Sequence, residues 1–345
     1  MSEIIRAYGC QAKDDKKRMN SSSGGIFSVF AEKIIKGEGV VYGTKMADDC
    51  KSACFIRVDK LDDICVLQGS KYLQSSVGDT FKNVKSDLES GIIVLFSGCP
   101  CQINGLKLFL GKEYKNLICI DIICHGVPSP KLWRIYADSF EKKYNATLKG
   151  VNFRAKNKNW ERFGLEQSTT EKNIYEDRTD NSYMQFFLKN YCLRLSCYDC
   201  KAKKSRASDI TIGDFWGIDA VLPEMNDGKG SSLVIVRSAK GMELLENIAE
   251  CIRMRECEYS AAIKKNSAEL KSVAMPPQRD SILKDMNTME FSKLECKYLG
   301  SHMVRTLKKI KRKIYWGGVK QETDTKYGLC LRIMCKNGLG TVDKM

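Results

Sequence analysis

The sequence predicts an α/β fold, with α+β as the alternative: a mixed, partly parallel sheet flanked by helices, an inserted hairpin-and-loop region and a helical C-terminal part. Residues 92–96 and 117–123 are short apolar runs, rich in β-branched residues, of the kind that forms strands covered on both faces. Each run breaks at a cysteine-bearing turn. Each then leads into a helical stretch, with Ile103, Leu106 and Leu110 after the first and residues 131–143 after the second. Two consecutive strand–turn–helix units point to neighbouring parallel strands joined by a helical crossover.

The remaining elements follow in chain order. Residues 20–25, Asn-Ser-Ser-Ser-Gly-Gly, open an amphipathic helix over 26–35. A helix start of this kind is either a plain serine cap or an anion site built on free N–H groups and the helix dipole. Residues 39–43 read as a strand, and residues 68–76 either as a plain surface loop or as a loop whose glycine, lysine and hydroxyls hold a polar ligand. Residues 150–181, polar and aromatic, read as inserted hairpin and loop. A helix is expected over 182–195, its aromatic stripe packing into the core, and strands over 209–213 and 231–236. Helices are expected over 241–255, 260–270 and 282–289.

Length and composition bound the function classes. The 345 residues, 43% hydrophobic and 29% charged, suit a globular protein of one large or two medium domains. The expected division is 1–250 for the α/β domain and 251–345 for a helical extension with a basic amphipathic tail. No stretch approaches the ~20 apolar residues of a membrane span. The first residues lack a signal-peptide layout, so the expected compartment is the cytoplasm. Net charge is +15, and eight Lys or Arg with no acid fall between Lys297 and Lys320. Residues 302–315 therefore read either as a solvated basic helix docked on its own domain or as a peripheral contact with an anionic membrane face. No nucleic-acid module is present, so nucleic acid is not an expected partner.

Sixteen cysteines in a chain expected to stay reduced call for packing, metal binding or catalysis rather than disulfides. Cys65, Cys119 and Cys251 sit in apolar surroundings and read as core residues. Cys197-x-x-Cys200 is a two-sulfur hook on one tight turn. With Cys101 and Cys124 at the two strand ends it makes four thiolates, the complement of structural zinc or of a [4Fe–4S] cluster. Lys201, Lys203, Lys204 and Arg206 would offset the thiolate charge. Spacing alone leaves zinc and cluster open.

Six motifs occur in order: residues 21–25 (Ser-Ser-Ser-Gly-Gly), 68–72 (Gln-Gly-Ser-Lys-Tyr), 97–102 (Ser-Gly-Cys-Pro-Cys-Gln), 124–128 (Cys-His-Gly-Val-Pro), Cys197-x-x-Cys200 and 209–217 (Asp-Ile-Thr-Ile-Gly-Asp-Phe-Trp-Gly). Together, over about residues 6–249, they resemble the coenzyme F-420 hydrogenase/dehydrogenase beta-subunit family. The resemblance implies an oxidoreductase with bound FAD and a [4Fe–4S] cluster. Such a protein passes electrons between a hydride carrier (the deazaflavin coenzyme F-420 or a nicotinamide) and a one-electron partner, a ferredoxin or other redox subunit. It implies Cys101, Cys124, Cys197 and Cys200 as cluster ligands. It places Ser22, Ser23, Gly24, Gly25, Gly69, Ser70, Lys71, Tyr72, Ser75, Ser97, Gly98, Gln102 and His125 around the FAD. Cys99 stands where that motif often has threonine and is left out of the ligand set. Many relatives begin with a ferredoxin-like segment whose C-x₂-C-x₂-C-x₃-C-P spacing Cys10, Cys50 and Cys54 do not reproduce, so a separate electron carrier is expected. Many bacterial relatives belong with surface-polysaccharide biosynthesis. The alternative is a non-catalytic, zinc-stabilised scaffold or accessory protein of a glycan-assembly pathway.

Overall fold

The computed structural model describes residues 5–301 and Val304. One compact unit spans Met1–Leu299; the second, Gly300–Met345, lies almost wholly outside the described residues, as does the basic stretch expected over 302–315 apart from Val304. Among the described residues no helix is long and apolar enough to cross a membrane.

The first unit opens with β1 (Arg6–Ala12), α1 (Asp15–Asn20) and α2 (Ile26–Lys36), then the antiparallel pair β2 (Val40–Met46) and β3 (Ala53–Val58) and the short β4 (Ser75–Ser76). Next come α3 (Thr80–Glu89), β5 (Val94–Gly98), α4 (Pro100–Leu110), β6 (Leu117–Ile122) and α5 (Pro130–Tyr144). The expected insertion is a separate antiparallel sheet of β7 (Leu148–Ala155), β8 (Gly164–Thr169) and β9 (Asn173–Asp177). After it come α6 (Ser182–Leu188), β10 (Ile210–Asp214), β11 (Ser232–Val236), α7 (Ala239–Glu246) and β12 (Ile252–Cys257). The short α8 (Tyr259–Ala262), α9 (Arg279–Asp285) and α10 (Phe291–Leu299) close the unit.

The main sheet has nine strands in the order β12-β1-β11-β10-β6-β5-β2-β3-β4. Its centre, β10-β6-β5-β2, is parallel, with Phe96 of β5 opposite Cys119 of β6 and Ile210 of β10 opposite Ile120. β11 runs against β10, and β1 against β11, so β1 points the same way as the parallel block. Successive side chains of β5 face opposite layers, as the period of a strand requires. Leu95 packs with Val29 and Phe30 of α2 on one face. Val94 and Phe96 pack with Val84 of α3 and Ile103 and Leu106 of α4 on the other. Helices on both faces make this the expected α/β sandwich, with the antiparallel strands as its mixed margin.

Several elements depart from their expected bounds. β1 lies in a stretch that reads as polar, yet every residue from Ala7 to Ala12 is buried, because layers cover both its faces and no alternation survives. Its Gln11 amide is satisfied inside, donating to Ser231 Oγ at 2.7 Å. α6 stops at Leu188, not 195, since Asn190 takes the left-handed conformation (φ 62°) that asparagine tolerates. The helix expected over 241–255 ends at Glu246. Residues 252–257 are instead the edge strand β12, whose Ile252 is buried and whose Arg253 and Arg255 keep the open edge charged. The expected boundary at residue 250 falls between α7 and β12, both within this unit. The helix expected over 260–270 is only the single turn α8 followed by a 3₁₀ turn at Ser267–Glu269. Cys119 is buried, but Cys65 and Cys251 are exposed. The 3₁₀ helix Leu61–Leu67 buries Ile64 and Leu67 and turns Cys65 outward.

Candidate functional site

Because β5, β6 and β10 are parallel, their carboxyl ends share one edge of the sheet, where open α/β sheets bind ligands. β5 gives way there to Cys99, and Pro100, its fixed φ suited to a first helical residue, starts α4 with Cys101 in its first turn. Gln102 latches this start: its Oε1 accepts from the Cys99 N–H at 2.8 Å, and its Nε2 donates to Ser75 Oγ at 3.1 Å. Ser97 and Gly98 end β5. A Cβ on Gly98 would stand 3.1 Å from Gln102 Oε1 and 3.3 Å from the Phe55 ring.

β6 leads into Cys124 and His125. Gly126, with φ 145°, has no room for a side chain: a Cβ would lie 2.7 Å from Leu193 Cδ1 and 3.4 Å from Cys197 Cβ. Glycine thus lets the turn after Cys124 close on the Cys197 hook. Val127 N–H donates to Cys197 Sγ at 3.5 Å and Arg194 N–H to Val127 O at 2.9 Å, while Cys200 N–H is held by Ser272 Oγ at 2.9 Å.

The structure brings Cys101, Cys124, Cys197 and Cys200 into one electrostatic neighbourhood, with Cys99 among them. Cys101 is exposed to solvent, and partial desolvation at the head of α4, with Cys124, Cys200 and Cys197 adding to the rise, pushes it up to about 11. Burial likewise raises Cys197, with Cys124 and Cys200 contributing. Cys99 and Cys124 share a hydrogen bond at 3.8 Å between sulfurs. That bond, with help from the nearby Lys203 charge, brings Cys124 down to about 7 despite burial and holds Cys99 well above the usual thiol range. Lys203, itself buried, donates to the Cys124 carbonyl at 2.8 Å. Thiolates so placed repel one another until a cation comes among them, and an all-sulfur donor set suits zinc or an iron–sulfur cluster. Among the described residues no group of three or more His, Cys, Asp or Glu stands close enough to hold a single metal ion.

A second cluster forms where residues 21–25 meet residues 68–75. Ser22 Oγ lies 2.9 Å from Ser70 Oγ and accepts from the Ser70 N–H at 2.8 Å. The serines do not cap α2. Its N-cap is Gly25, with φ 82° and no side-chain capping bond, while Ser23 Oγ donates to Ser231 O at 2.6 Å and Gly24 N–H to Ser232 Oγ at 3.0 Å. Ser23 and Gly24 therefore tie the turn to β11, and the first turn of α2 keeps N–H groups that no side chain caps. Lys71 donates to Val66 O and Gln68 O, and burial, with no acid beside it, lowers it to about 7. An uncapped helix start beside an unbalanced cation fits an anionic phosphate. Gly69, φ 76°, turns the loop in open space, and Ser75 is buried against Gln102.

The two clusters are joined by packed rings. Tyr72 stacks on Phe187 with centroids 4.7 Å apart, and Phe187 meets the edge of His125 at 5.2 Å. His125 is held by Asn190 Oδ1 at 2.6 Å from its Nε2, and burial lowers its pKa below the usual range, favouring the neutral ring. Sequence reasoning missed Arg154, Lys156 and Asp214, which border the Ser22–Tyr72 cluster. The signal was present: Asp214 closes the motif at 209–217, and Arg154 and Lys156 stand two apart on an aromatic strand end.

The sequence profile that describes the C terminus of the beta subunit of coenzyme F420 hydrogenase/dehydrogenase matches residues 93–261. The span takes in all five site cysteines and the motif at 209–217; the motifs at 21–25 and 68–72 precede it. Comparison with curated proteins gives no match. Among solved structures, a chain of the F420-reducing [NiFe] hydrogenase complex from Methanosarcina barkeri, in a xenon-derivatised crystal, is similar with a TM-score of 0.52 and 13% identity. The alignment covers 95% of this chain and 98% of that one. At that identity the likeness is one of fold.

Proposed function

We propose, from the premise that residues 93–261 belong to the family of C-terminal regions of coenzyme F420 hydrogenase/dehydrogenase beta subunits, that the chain is a flavin- and [4Fe–4S]-dependent oxidoreductase. It would pass electrons between a hydride carrier, deazaflavin or nicotinamide, and a separate one-electron carrier. The observation that carries this reading is the gathering of Cys101, Cys124, Cys197 and Cys200, connected through the packed rings of His125, Phe187 and Tyr72 to the loop that meets Ser22. A flavin exchanges electron pairs as hydride and a cluster exchanges single electrons, so the two together couple both kinds of carrier.

The chain's own groups divide the work. The four cysteine thiolates would hold the cluster, with Lys203 offsetting their charge. Ser22, Gly25, Ser70 and Lys71 would receive the FAD phosphates, while Ser23 and Gly24 fix the turn that presents them. Gln102 and Ser75 tie the phosphate side to the thiol turn, and Ser97, Gly98, Gly69, Tyr72 and His125 wall the space between. The setting that goes with this reading is cytoplasmic and, by resemblance, surface-polysaccharide biosynthesis.

One distance favours zinc: 3.8 Å between Cys99 and Cys124 sulfurs is about the edge of a tetrahedral site with Zn–S bonds of ~2.3 Å. Anaerobic purification followed by iron, acid-labile sulfide, zinc and flavin analysis separates the two. Iron and sulfide in equal amounts, with flavin, support the oxidoreductase; zinc with neither iron nor flavin supports the scaffold and sinks it.

A further inference from the structure

Cys99 stands among the site thiols with no part yet in their chemistry. It is the N-cap residue of α4, and its backbone is fixed on both sides. Gln102 Oε1 accepts from its N–H at 2.8 Å, and its carbonyl accepts from the N–H groups of Gln102 at 2.9 Å and Ile103 at 3.1 Å. The half-buried side chain therefore starts from a held position, and it lies against Cys124 with 3.8 Å between the sulfurs, hydrogen-bonded.

Four thiolates complete a [4Fe–4S] cluster. Thiolates on different irons point outward from different corners of the cube, so they stand farther apart than the 3.8 Å that separates Cys99 from Cys124. With Cys124 as a ligand, Cys99 at this distance is the neighbour of a ligand. Metal binding takes Cys124 as thiolate, and the bond between the two sulfurs then has one source for its proton, the Cys99 thiol. Cys197 is met in the same manner, its Sγ accepting from the Val127 N–H at 3.5 Å. Hydrogen bonds to ligand sulfurs help set a cluster's potential, because each one favours the electron-richer, reduced state.

We propose that Cys99 is a positioning residue acting through Cys124: its Sγ–H donates to the Cys124 thiolate and so raises the potential at which the site accepts an electron. This rests on the cluster reading above. In the step concerned one electron enters from the reduced flavin, no covalent bond forms or breaks, and the proton stays on Cys99 Sγ.

The test is a redox titration of the full chain, purified anaerobically, with dithionite as reductant and the paramagnetic resonance signal of the reduced cluster as readout. Cys99→Ala and the bulkier Cys99→Val remove the donor, and Cys99→Ser keeps one. The first two should hold wild-type amounts of iron and sulfide while their potential falls by about 59 mV, the one-electron equivalent of the tenfold change expected for one hydrogen bond to a charged group. Cys99→Ser should recover most of that fall. An unchanged potential in whichever of Cys99→Ala and Cys99→Val folds overturns the assignment. An equal fall in all three variants also overturns it, since packing and not a donor is then the cause. Loss of iron from the folded variants overturns it by making Cys99 a ligand. Wild-type chain that carries zinc and no iron overturns the cluster reading and this assignment with it, an outcome distinct from the other three.

Discussion

Lys71 carries a positive charge into surroundings that supply carbonyls and no acid. Its folded-state value of about 7 lies far below the ordinary lysine value of ~10.4. Across that window the unfolded chain holds a proton that the folded chain has lost, so ligand-free stability should rise with pH from about 7 upward. A bound phosphate reverses the preference and draws the proton back. ADP affinity should therefore fall as pH rises through 7, by up to about tenfold per unit, and Lys71→Met should flatten the profile; binding titrations at pH 6.5 and 8.5 check both. Among the thiols, Cys101→Ser, Cys124→Ser, Cys197→Ser and Cys200→Ser should each strip the protein of most of its iron, whereas Cys99→Ser should retain it. Iron analysis decides, and loss in Cys99→Ser would put that residue in the ligand set. The residue types were legible in the sequence because thiols at element ends and in a C-x-x-C hook have few structural uses. That Cys99 lies 3.8 Å from Cys124, or that Arg154 meets Asp214, was not legible, since both contacts join segments that only the fold brings together.

The parallel strands β5 and β6 did the most to place the site, and their apolar runs announced them. Elements failed to announce themselves where tertiary cover overrode local pattern. β1 is buried on both faces without alternation, and β12 alternates on an edge directly after a helix, so its pattern merged with that of α7. The loop after β6 depends on Gly126, where a side chain would press on Leu193 and Cys197. Gly126→Ala should cost ~1–3 kcal/mol of stability, from the strained backbone and the displaced neighbours, and should lower iron occupancy at the same time. Denaturant midpoints and iron content measured on one preparation check the coupling.

The whole unit is pinned by a buried ion network behind the thiols. Arg206 pairs with Asp121 of β6 at 2.8 Å and with Glu269 at 2.8 Å, and Glu269 also pairs with Arg237 beyond β11. Asp121 and Glu269 are almost fully buried, so their cost is recovered only while every partner stays in place. Glu269→Ala should destabilise the unit by ~3–5 kcal/mol in urea, because it leaves the Arg237 guanidinium without its acid and Arg206 with Asp121 alone. The network ties the segment after β12 to the central strands, with partners 63 and 85 residues apart in sequence.

At this scale the proposed function requires one sheet edge to hold both a cluster and a flavin. The visible spectrum of the anaerobically purified full chain, recorded before and after reduction, tests it most directly. The expected protein is brown-yellow, with broad cluster absorbance overlaid by flavin bands in the blue, both bleaching on reduction. A colourless protein whose spectrum does not change on reduction, even after reconstitution with iron, sulfide and FAD, would contradict it.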